Sequence, residues 1–245
     1  MVFLKHSDGY RAVSFVFRFM LFSFVLLSAS LAAARMLFPP ESVQTVARDM
    51  PCVTVVIDAG HGGRDGGAVA ADGTLEKDLN LAVAKTLAAM LRMAHVEVVM
   101  TRETDVELAS PSSAHKKRDD LAARLEMTKG HDRAIFVSIH MNQYPVEKYR
   151  GLQVYYSDVN PDSFTLAETI QSGAQLLDPE NARGVKSAGD GIYLLAHTEI
   201  PAVLVECGFL SNEAERALLK TEEYRTKLAA SLFSSIMNYL GAEQT

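Results

Sequence analysis

Short apolar runs rich in β-branched residues alternate with amphipathic segments through most of this 245-residue chain. The run at residues 53–58 is continuous, which is typical of a strand buried on both faces of a sheet. Strands that alternate with helices form layered α/β structures. The sequence therefore predicts the α/β class, with a single open, mostly parallel twisted sheet and helices on both faces. The predicted strands are residues 53–58, 96–101, 134–139, 152–156, 192–195 and 201–206, and the predicted helices are residues 79–94, 114–129, 164–177 and 224–240.

An apolar stretch of a different kind lies near the start of the chain. Residues 12–34 are nearly all apolar and as a helix would extend about 34 Å, enough for a bilayer core of about 30 Å. Lys5, Arg11 and Arg18 precede or enter this stretch, so the positive-inside rule places the rest of the chain outside the cytoplasm. Small residues at positions 31–34 also fit a signal-peptide cleavage site. Both an N-terminal membrane helix and a cleaved signal predict export.

These features divide the chain into three predicted parts. We expect residues 1–36 to be a cytoplasmic tail followed by a transmembrane anchor or signal segment. Residues 37–51, which contain adjacent prolines and no clear period, are predicted to be a linker. The folded domain is expected at residues 52–245.

Composition excludes several classes of protein. The net charge is −6 and basic residues are scattered, which argues against a nucleic-acid partner because phosphate contacts need clustered Lys and Arg. The two cysteines, Cys52 and Cys207, exclude a disulfide framework and leave a single bridge open. Cys207 ends an apolar run, where cysteine is commonly a small core residue.

Four polar residues lie where predicted strands end or a helix begins. His61 follows the first strand in a glycine-rich peptide, His140 follows the third, Glu206 ends the last, and Glu76 lies just past Thr74, a predicted N-cap. In open α/β proteins ligands bind at the carboxyl ends of strands. Two imidazoles and one carboxylate form a catalytic zinc set with an open fourth position, and a second carboxylate can serve as base. An unpaired Glu206 carboxylate would cost several kcal/mol to bury, which favours a functional role.

Two further charged residues fall at predicted strand ends. Asp58 is expected to orient a ligand histidine, and Arg102 to pair with a carboxylate in the site or in the scaffold. The polar, glycine-containing residues 180–191 are predicted to form a loop over the site. His197 follows that loop and is read as a surface or packing residue.

Several peptides around these residues occur along the chain in a fixed order. This order resembles that of the zinc-dependent N-acetylmuramoyl-L-alanine amidases, which hydrolyse peptidoglycan. The resemblance covers residues 55–240 and implies that residues 52–245 are a zinc amidase catalytic domain. The matching peptides are Asp58-Ala59-Gly60-His61-Gly62-Gly63, Glu76, Thr101-Arg102, Leu121 with Arg124, Ser138-Ile139-His140-Met141-Asn142 and Glu206-Cys207-Gly208-Phe209-Leu210-Ser211-Asn212.

The resemblance implies a reaction and roles for the four residues. His61, Glu76 and His140 would bind one Zn²⁺ ion, and Glu206 would be the catalytic glutamate. Zinc-activated water, with Glu206 as base, would cleave the amide between the lactyl group of N-acetylmuramic acid and L-alanine of the stem peptide. The single domain behind an anchor also resembles the sporulation amidases that prepare muramic-δ-lactam in spore cortex.

Other functions remain open on the sequence. A zinc carboxypeptidase acting on wall peptides would hold a terminal carboxylate with Arg64 and Arg183. A non-catalytic wall-binding regulator would not need all four site residues, and a membrane scaffold would need none of them. The family resemblance also leaves open control by an activating protein partner or by an inhibitory segment, for which residues 180–191 are the candidate.

Overall fold

The computed structural model describes residues 53–131 and 133–242, together with residues 17, 18, 20–24, 26 and 28, which are helical. The chain divides into two units, Met1–Arg48 and Asp49–Thr245. Most of the predicted membrane or signal segment, and the whole predicted linker, lie outside the described residues. Among the residues that are described, no helix is both long and apolar enough to cross a membrane.

A six-stranded sheet forms the centre of the second unit. Its spatial order is β2-β1-β3-β6-β4-β5. Neighbouring strands are parallel except β6 and β4, so β4 and β5 run against the other four. The sheet is therefore mixed but mostly parallel, which agrees with the prediction in its main feature. The strands are β1 (Thr54–Ala59), β2 (Glu97–Met100), β3 (Ala134–Asn142), β4 (Gln153–Tyr156), β5 (Lys186–Ser187) and β6 (Ala202–Phe209).

Helices cover both faces of the sheet, as predicted. The helices of this unit are α1 (Glu76–Met93), α2 (Lys116–Glu126), α3 (Asp162–Leu177), α4 (Tyr193–His197), α5 (Glu213–Leu219) and α6 (Glu222–Ala242). Helices α1, α3 and α6 pack against one face of the sheet and form a large apolar core with it. Helices α2 and α4 pack against the other face and form a smaller core. The two cores stabilise the sheet from both sides, because each strand presents alternate residues to opposite faces.

The smaller core covers only part of its face. Val56, Phe136 and Leu204 are buried beneath α2 and α4. Asp58 lies on the same face two residues beyond Val56 in β1, and His140 lies there four residues beyond Phe136 in β3. The half of this face nearest the carboxyl ends of the strands is therefore polar, and this is where the candidate site lies.

The predicted strand at residues 192–195 is wrong, because residues 193–195 belong to the short helix α4. A four-residue apolar run fits either a strand or a buried helix. Here the helical turn is closed locally: His197 Nδ1 lies 2.8 Å from the Tyr193 carbonyl, and the two rings stack with centroids 4.2 Å apart.

Two other elements were not predicted. Helix α5 begins after Asn212, whose side chain accepts a hydrogen bond of 2.9 Å from the backbone N–H of Glu215. The predicted loop at residues 180–191 contains the two-residue strand β5. Both elements are short, so the periodicity of the sequence contains little signal for them.

Candidate metal centre

His140, Glu206 and Gln153 form a row across three neighbouring strands. His140 of β3 is in register with Glu206 of β6, which is in register with Gln153 of β4. Residues paired in this way point to the same face of a sheet. His140 and Glu206 lie inside their strands, so the prediction that they lie at strand ends is wrong. Their side chains are on the face of the sheet opposite the large apolar core. The strands continue because Met141 and Cys207 still contribute to the core on the opposite face.

The glycine-rich peptide after β1 brings His61 close to this row. His61 adopts φ 62°, a left-handed conformation that is uncommon for a residue with a side chain, and its ring centroid lies 4.9 Å from that of His140. A side chain at Gly60 would overlap the His140 ring. A Cβ at Gly67, where φ is 67°, would lie 2.6 Å from Glu76 Oε2 and 2.7 Å from His61 Cδ2. Glycine at these two positions therefore permits the imidazoles and the carboxylate to meet.

Glu76 connects the two imidazoles. Its Oε1 lies 2.9 Å from His140 Nδ1 and 3.2 Å from His61 Nε2. One ligand-type atom from each of the three residues lies within 4.8 Å of the others. Nitrogen and oxygen atoms that share a tetrahedral zinc ion lie about 3.3 Å apart, so small side-chain movements suffice for one ion to reach all three.

The carboxylate of Glu76 is fixed by its surroundings at the first residue of α1. The helix is preceded by Leu75 without a side-chain cap, so the prediction that Thr74 is the N-cap is wrong. Burial raises the pKa of Glu76, but the His140 and His61 side chains outweigh this effect and hold the pKa well below its usual value. The ionised form, which a metal requires, is therefore favoured. Other hydrogen bonds to this carboxylate come from Ala68 N at 2.8 Å, Asn80 Nδ2 at 3.2 Å and Met141 N at 3.2 Å.

Glu206 has a different environment. The residue is partly exposed, but its Oε2 atom is buried and accepts no hydrogen bond from any residue that the structure describes. Burial raises the pKa of Glu206 to about 7; the His140 side chain opposes this shift and Glu76 adds to it. A carboxyl group that titrates near neutral pH can both accept and return a proton during a reaction.

Asp58 does not orient a ligand histidine as predicted. It is fully buried and accepts hydrogen bonds from Arg124 Nη1 at 2.6 Å, Ser138 Oγ at 2.6 Å and Thr101 Oγ1 at 2.7 Å. Burial raises the pKa of Asp58, but Arg124 and the two hydroxyls outweigh it and lower the pKa below its usual value. Asp58 is therefore a permanent charge in the scaffold beneath the site.

Arg102 and Arg124 hold the backbone of the glycine-rich peptide. Both donate to the Ala59 carbonyl, at 2.8 and 2.9 Å. Arg102 also donates to the Gly60 carbonyl at 3.0 Å, and Arg124 to the His61 carbonyl at 2.7 Å. Within the described part of the chain Arg102 pairs with no carboxylate, so its predicted ion pair is not found. Its guanidinium instead positions the peptide that carries His61.

Two residues near the site were not singled out from the sequence. Asp65 Oδ2 lies 2.9 Å from His61 Nδ1, close enough for charge attraction although outside hydrogen-bond geometry. Asn80 donates to the Gly60 carbonyl at 3.1 Å and to Glu76 Oε1 at 3.2 Å. Spacing could have identified Asn80, because it is a polar residue one helical turn beyond Glu76 on a helix face that is otherwise apolar.

Cys207 and His197 take no part in the site. Burial, and less strongly the nearby Glu206, raise the pKa of the free Cys207 thiol, so it lacks the thiolate form that a nucleophile needs. His197 stacks on Tyr193 in α4. Both agree with the structural roles expected for them.

Comparison with known proteins decides the family. The sequence profile of N-acetylmuramoyl-L-alanine amidase matches residues 55–238. The chain belongs to this family. It is an N-acetylmuramoyl-L-alanine amidase, and thus a hydrolase of peptidoglycan, as the peptides around the four site residues predicted.

Individual amidases show the same relationship. The chain is 35% identical over 188 residues to the germination-specific N-acetylmuramoyl-L-alanine amidase of Bacillus subtilis, an alignment that covers 76% of this chain and 78% of that amidase. The solved structure of the CwlD amidase from Clostridioides difficile, in complex with the GerS lipoprotein, is 39% identical with a TM-score of 0.74 and covers 77% of this chain and 98% of that one. The catalytic domain of CwlV, an amidase from Bacillus (Paenibacillus) polymyxa var. colistinus, is 32% identical with a TM-score of 0.67, covering 77% of this chain and 98% of that domain.

Proposed function

We propose that His61, Glu76 and His140 bind one zinc ion and that Glu206 is the proton-transfer residue of the amidase reaction. The observation that carries this proposal is the meeting of three ligand-type atoms within 4.8 Å beside Glu206. Glu206 is in register with His140, and its buried Oε2 accepts no hydrogen bond from the described residues. Two imidazoles and one carboxylate are a catalytic zinc set, because they leave a coordination position for water or substrate.

The residues present fit a zinc ion in two respects. Glu76 is held ionised, and its Oε1 lies within 3.2 Å of a ring nitrogen of each imidazole, an arrangement that a divalent cation can replace with direct ligation. Asp65, Asn80 and the two scaffold arginines hold the ligands or their backbone in place, as outer partners do at metal sites.

The chain's own groups account for the movement of protons. When bound, zinc would polarise the lactyl carbonyl and make a water molecule more acidic. Glu206, ionised near neutral pH, accepts the proton of the attacking water. It then donates that proton to the nitrogen of L-alanine as the C–N bond breaks, so that the amine leaves neutral. The fixed backbone around His61 and Glu76 keeps the reacting groups aligned while this occurs.

The competing functions receive less support. Of the two arginines proposed to hold a terminal carboxylate in a carboxypeptidase, Arg64 is paired with Glu107 at 3.1 Å, and the family that the chain belongs to cleaves a different bond. A non-catalytic regulator would not need a carboxyl group such as Glu206, poised beside three ligand-type side chains.

We further propose that this amidase acts outside the cytoplasm in spore-cortex maturation, with an activating protein partner. The relative named as germination-specific, and the complex of the CwlD amidase with a lipoprotein, support this role. The large apolar side chains described between residues 17 and 28 are solvent-exposed in this chain, which supports membrane association through the N-terminal segment.

Digestion of purified peptidoglycan by the full chain tests the proposed chemistry. We expect mass spectrometry to show stem peptides released with a free L-alanine amine, loss of activity with a chelator, and recovery with Zn²⁺. His61→Ala should lose both bound zinc and activity, whereas His197→Ala, which removes an imidazole outside the site, should keep both. Stoichiometric zinc in purified His61→Ala, or full activity in the chelator, would contradict the proposal.

A further inference from the structure

Arg183 is a cation next to the site whose charge has no carboxylate partner. Within the described part of the chain, the neighbouring Arg150 is ion-paired, with Asp178 at 2.7 Å and with Glu180 at 2.8 Å. Arg183 forms no such pair. A guanidinium is always charged and strongly favours a carboxylate or phosphate partner, so a fixed one without a counter-ion is well suited to bind an anion.

Neutral groups hold Arg183 in position. Its Nε donates to the Arg150 carbonyl at 2.7 Å, and its Nη1 donates to Gln153 Oε1 at 3.1 Å. The guanidinium carbon lies 4.5 Å from the centroid of the Phe209 ring. These contacts fix the plane of the guanidinium, and none of them is to a carboxylate. The buried Glu215 carboxylate interacts with Arg183 only beyond ion-pair distance. Its Nη2 donates to none of the described residues and remains available to a ligand.

The contacts of Arg183 place it beside Glu206. Gln153, to which it donates, is the cross-strand partner of Glu206, and Phe209 lies three residues beyond Glu206 in β6. His140 is on the opposite side of Glu206, in β3. The row thus runs from the proposed zinc ligands, through the proton-transfer residue, to a fixed positive charge.

We propose that Arg183 binds a carboxylate of the substrate's stem peptide and thereby sets the direction in which the substrate lies. This inference rests on the proposed function of Glu206 and the three ligands. The scissile amide lies at the Glu206–His140 end of the row, so the peptide on the L-alanine side extends toward β4 and the glycan toward the His61 peptide. Stem peptides carry carboxylates at their C-terminus and on acidic residues, and Nη2 of Arg183 can donate to either kind.

Steady-state kinetics on three synthetic substrates tests this inference with the full chain. The substrates are N-acetylmuramoyl-L-alanyl-glutamate with both carboxylates free, with only the α-carboxylate amidated, and with only the side-chain carboxylate amidated. We expect Arg183→Gln to raise KM about tenfold or more on the first substrate with kcat within twofold, since a contact made equally in ground and transition states affects binding. On the substrate that lacks the recognised carboxylate, wild type and Arg183→Gln should have equal KM, which identifies the source of the anion.

Two variants separate a directed contact from local charge or loss of structure. Arg150→Gln removes a neighbouring charge that is already ion-paired, and its KM should stay within twofold of wild type on all three substrates. Arg183→Lys keeps the charge but loses the planar guanidinium, and should recover part of the lost affinity.

The outcomes distinguish this inference from the function on which it rests. Failure of the wild type to cleave any substrate would overturn the proposed function together with the inference. Cleavage by the wild type, with KM of Arg183→Gln unchanged or raised equally on all three substrates, would overturn only the role of Arg183.

Discussion

Asp58 and Glu206 are carboxylates on the same face of the same sheet, yet their surroundings are opposite. Asp58 is paired with Arg124 and two hydroxyls, and its pKa is lowered. Glu206 has a buried oxygen with no hydrogen-bond partner in the described parts of the chain, and burial raises its pKa to about 7. The first therefore stays charged at all working pH values, whereas the second can exchange a proton.

This contrast separates a supporting region from a reactive one. The supporting region, formed by Asp58, Arg102 and Arg124, pairs Asp58 with Arg124 and uses both arginines to hold the peptide that carries His61. The reactive region leaves a polar atom unsatisfied, which costs stability and is typical of a functional site. Substitutions in the two regions should therefore have different consequences for stability and for activity.

The largest expected effect is on catalysis, in Glu206→Gln. We expect kcat to fall about a thousandfold, because the amide cannot accept or return the proton. Bound zinc and the melting temperature should stay near wild type, since no hydrogen bond to the buried oxygen is lost. Peptidoglycan digestion and metal analysis measure both. Glu107→Gln, which alters a surface carboxylate paired with Arg64, is the matched control and should keep its activity. Substantial turnover by Glu206→Gln would show that the proton passes elsewhere.

The second effect is on stability, in Asp58→Asn. Removing the charge leaves Arg124 buried without its main partner, and we expect the free energy of unfolding to fall by about 3 kcal/mol. Denaturant titration measures the change. Asp105→Asn breaks an exposed pair with Lys77 and should cost less than about 1 kcal/mol. If Asp58→Asn impaired activity without reducing stability, Asp58 would belong to the reactive region.

A third effect is on metal binding, in Gly60→Ala. The added methyl group would overlap the His140 ring, and the displaced imidazole should weaken zinc affinity about 10- to 100-fold. Competition with a chromogenic chelator measures the affinity. The control is Gly191→Ala, where nothing lies within 4 Å of the added carbon and affinity should not change. Equal affinity in the two variants would mean that His140 does not bind the metal from its present position.

The smallest effect is on the pH dependence of stability, measured with a chelator present. Because the folded pKa of Glu206 is raised, the folded state retains a proton that the unfolded chain releases, so Glu206 lowers stability as pH rises from about 4.5 to 7. Glu206 is partly exposed, so solvent screens its charge and this loss should be about 1 kcal/mol. Glu206→Gln should remove that slope.

Asp58 should have the opposite sign. Its folded pKa is lowered, so its contribution is present above the unfolded value of about 4 and is lost as pH falls through the folded pKa. Asp58→Asn should therefore flatten the acid side of the profile, while Glu206→Gln flattens the region below pH 7. Equal profiles for the two variants would remove the distinction between the regions.

Much of the fold could be predicted because long elements have a clear period. Helices α1 and α6 and strands β1, β3 and β6 were found from apolar spacing, with boundaries that differ by a few residues. The short helix α4 was read as a strand, since four apolar residues at 192–195 do not distinguish the two. Short elements depend on contacts such as that between His197 and Tyr193, which periodicity does not reveal.

The sequence predicted which residues form the candidate site, but not the contacts that hold those residues in place. His61, Glu76, His140 and Glu206 are adjacent in the structure, while their roles as ligands and proton-transfer residue remain proposals. Asp58 and Arg102 were assigned the wrong contacts, because residue type and strand position do not determine which of several charged groups becomes a partner.

Residue types and their order along the chain determined the family, the alternation of strands and helices, and the four residues proposed for chemistry. Tertiary structure alone decided that His140 and Glu206 share a face with Gln153, that Arg124 neutralises Asp58, and that Arg183 forms no ion pair with the described carboxylates. The physical reason is that partners such as Asp58 and Arg124, 66 residues apart, meet only through strand register and packing. Those contacts set which carboxylate is neutralised and which is left able to react.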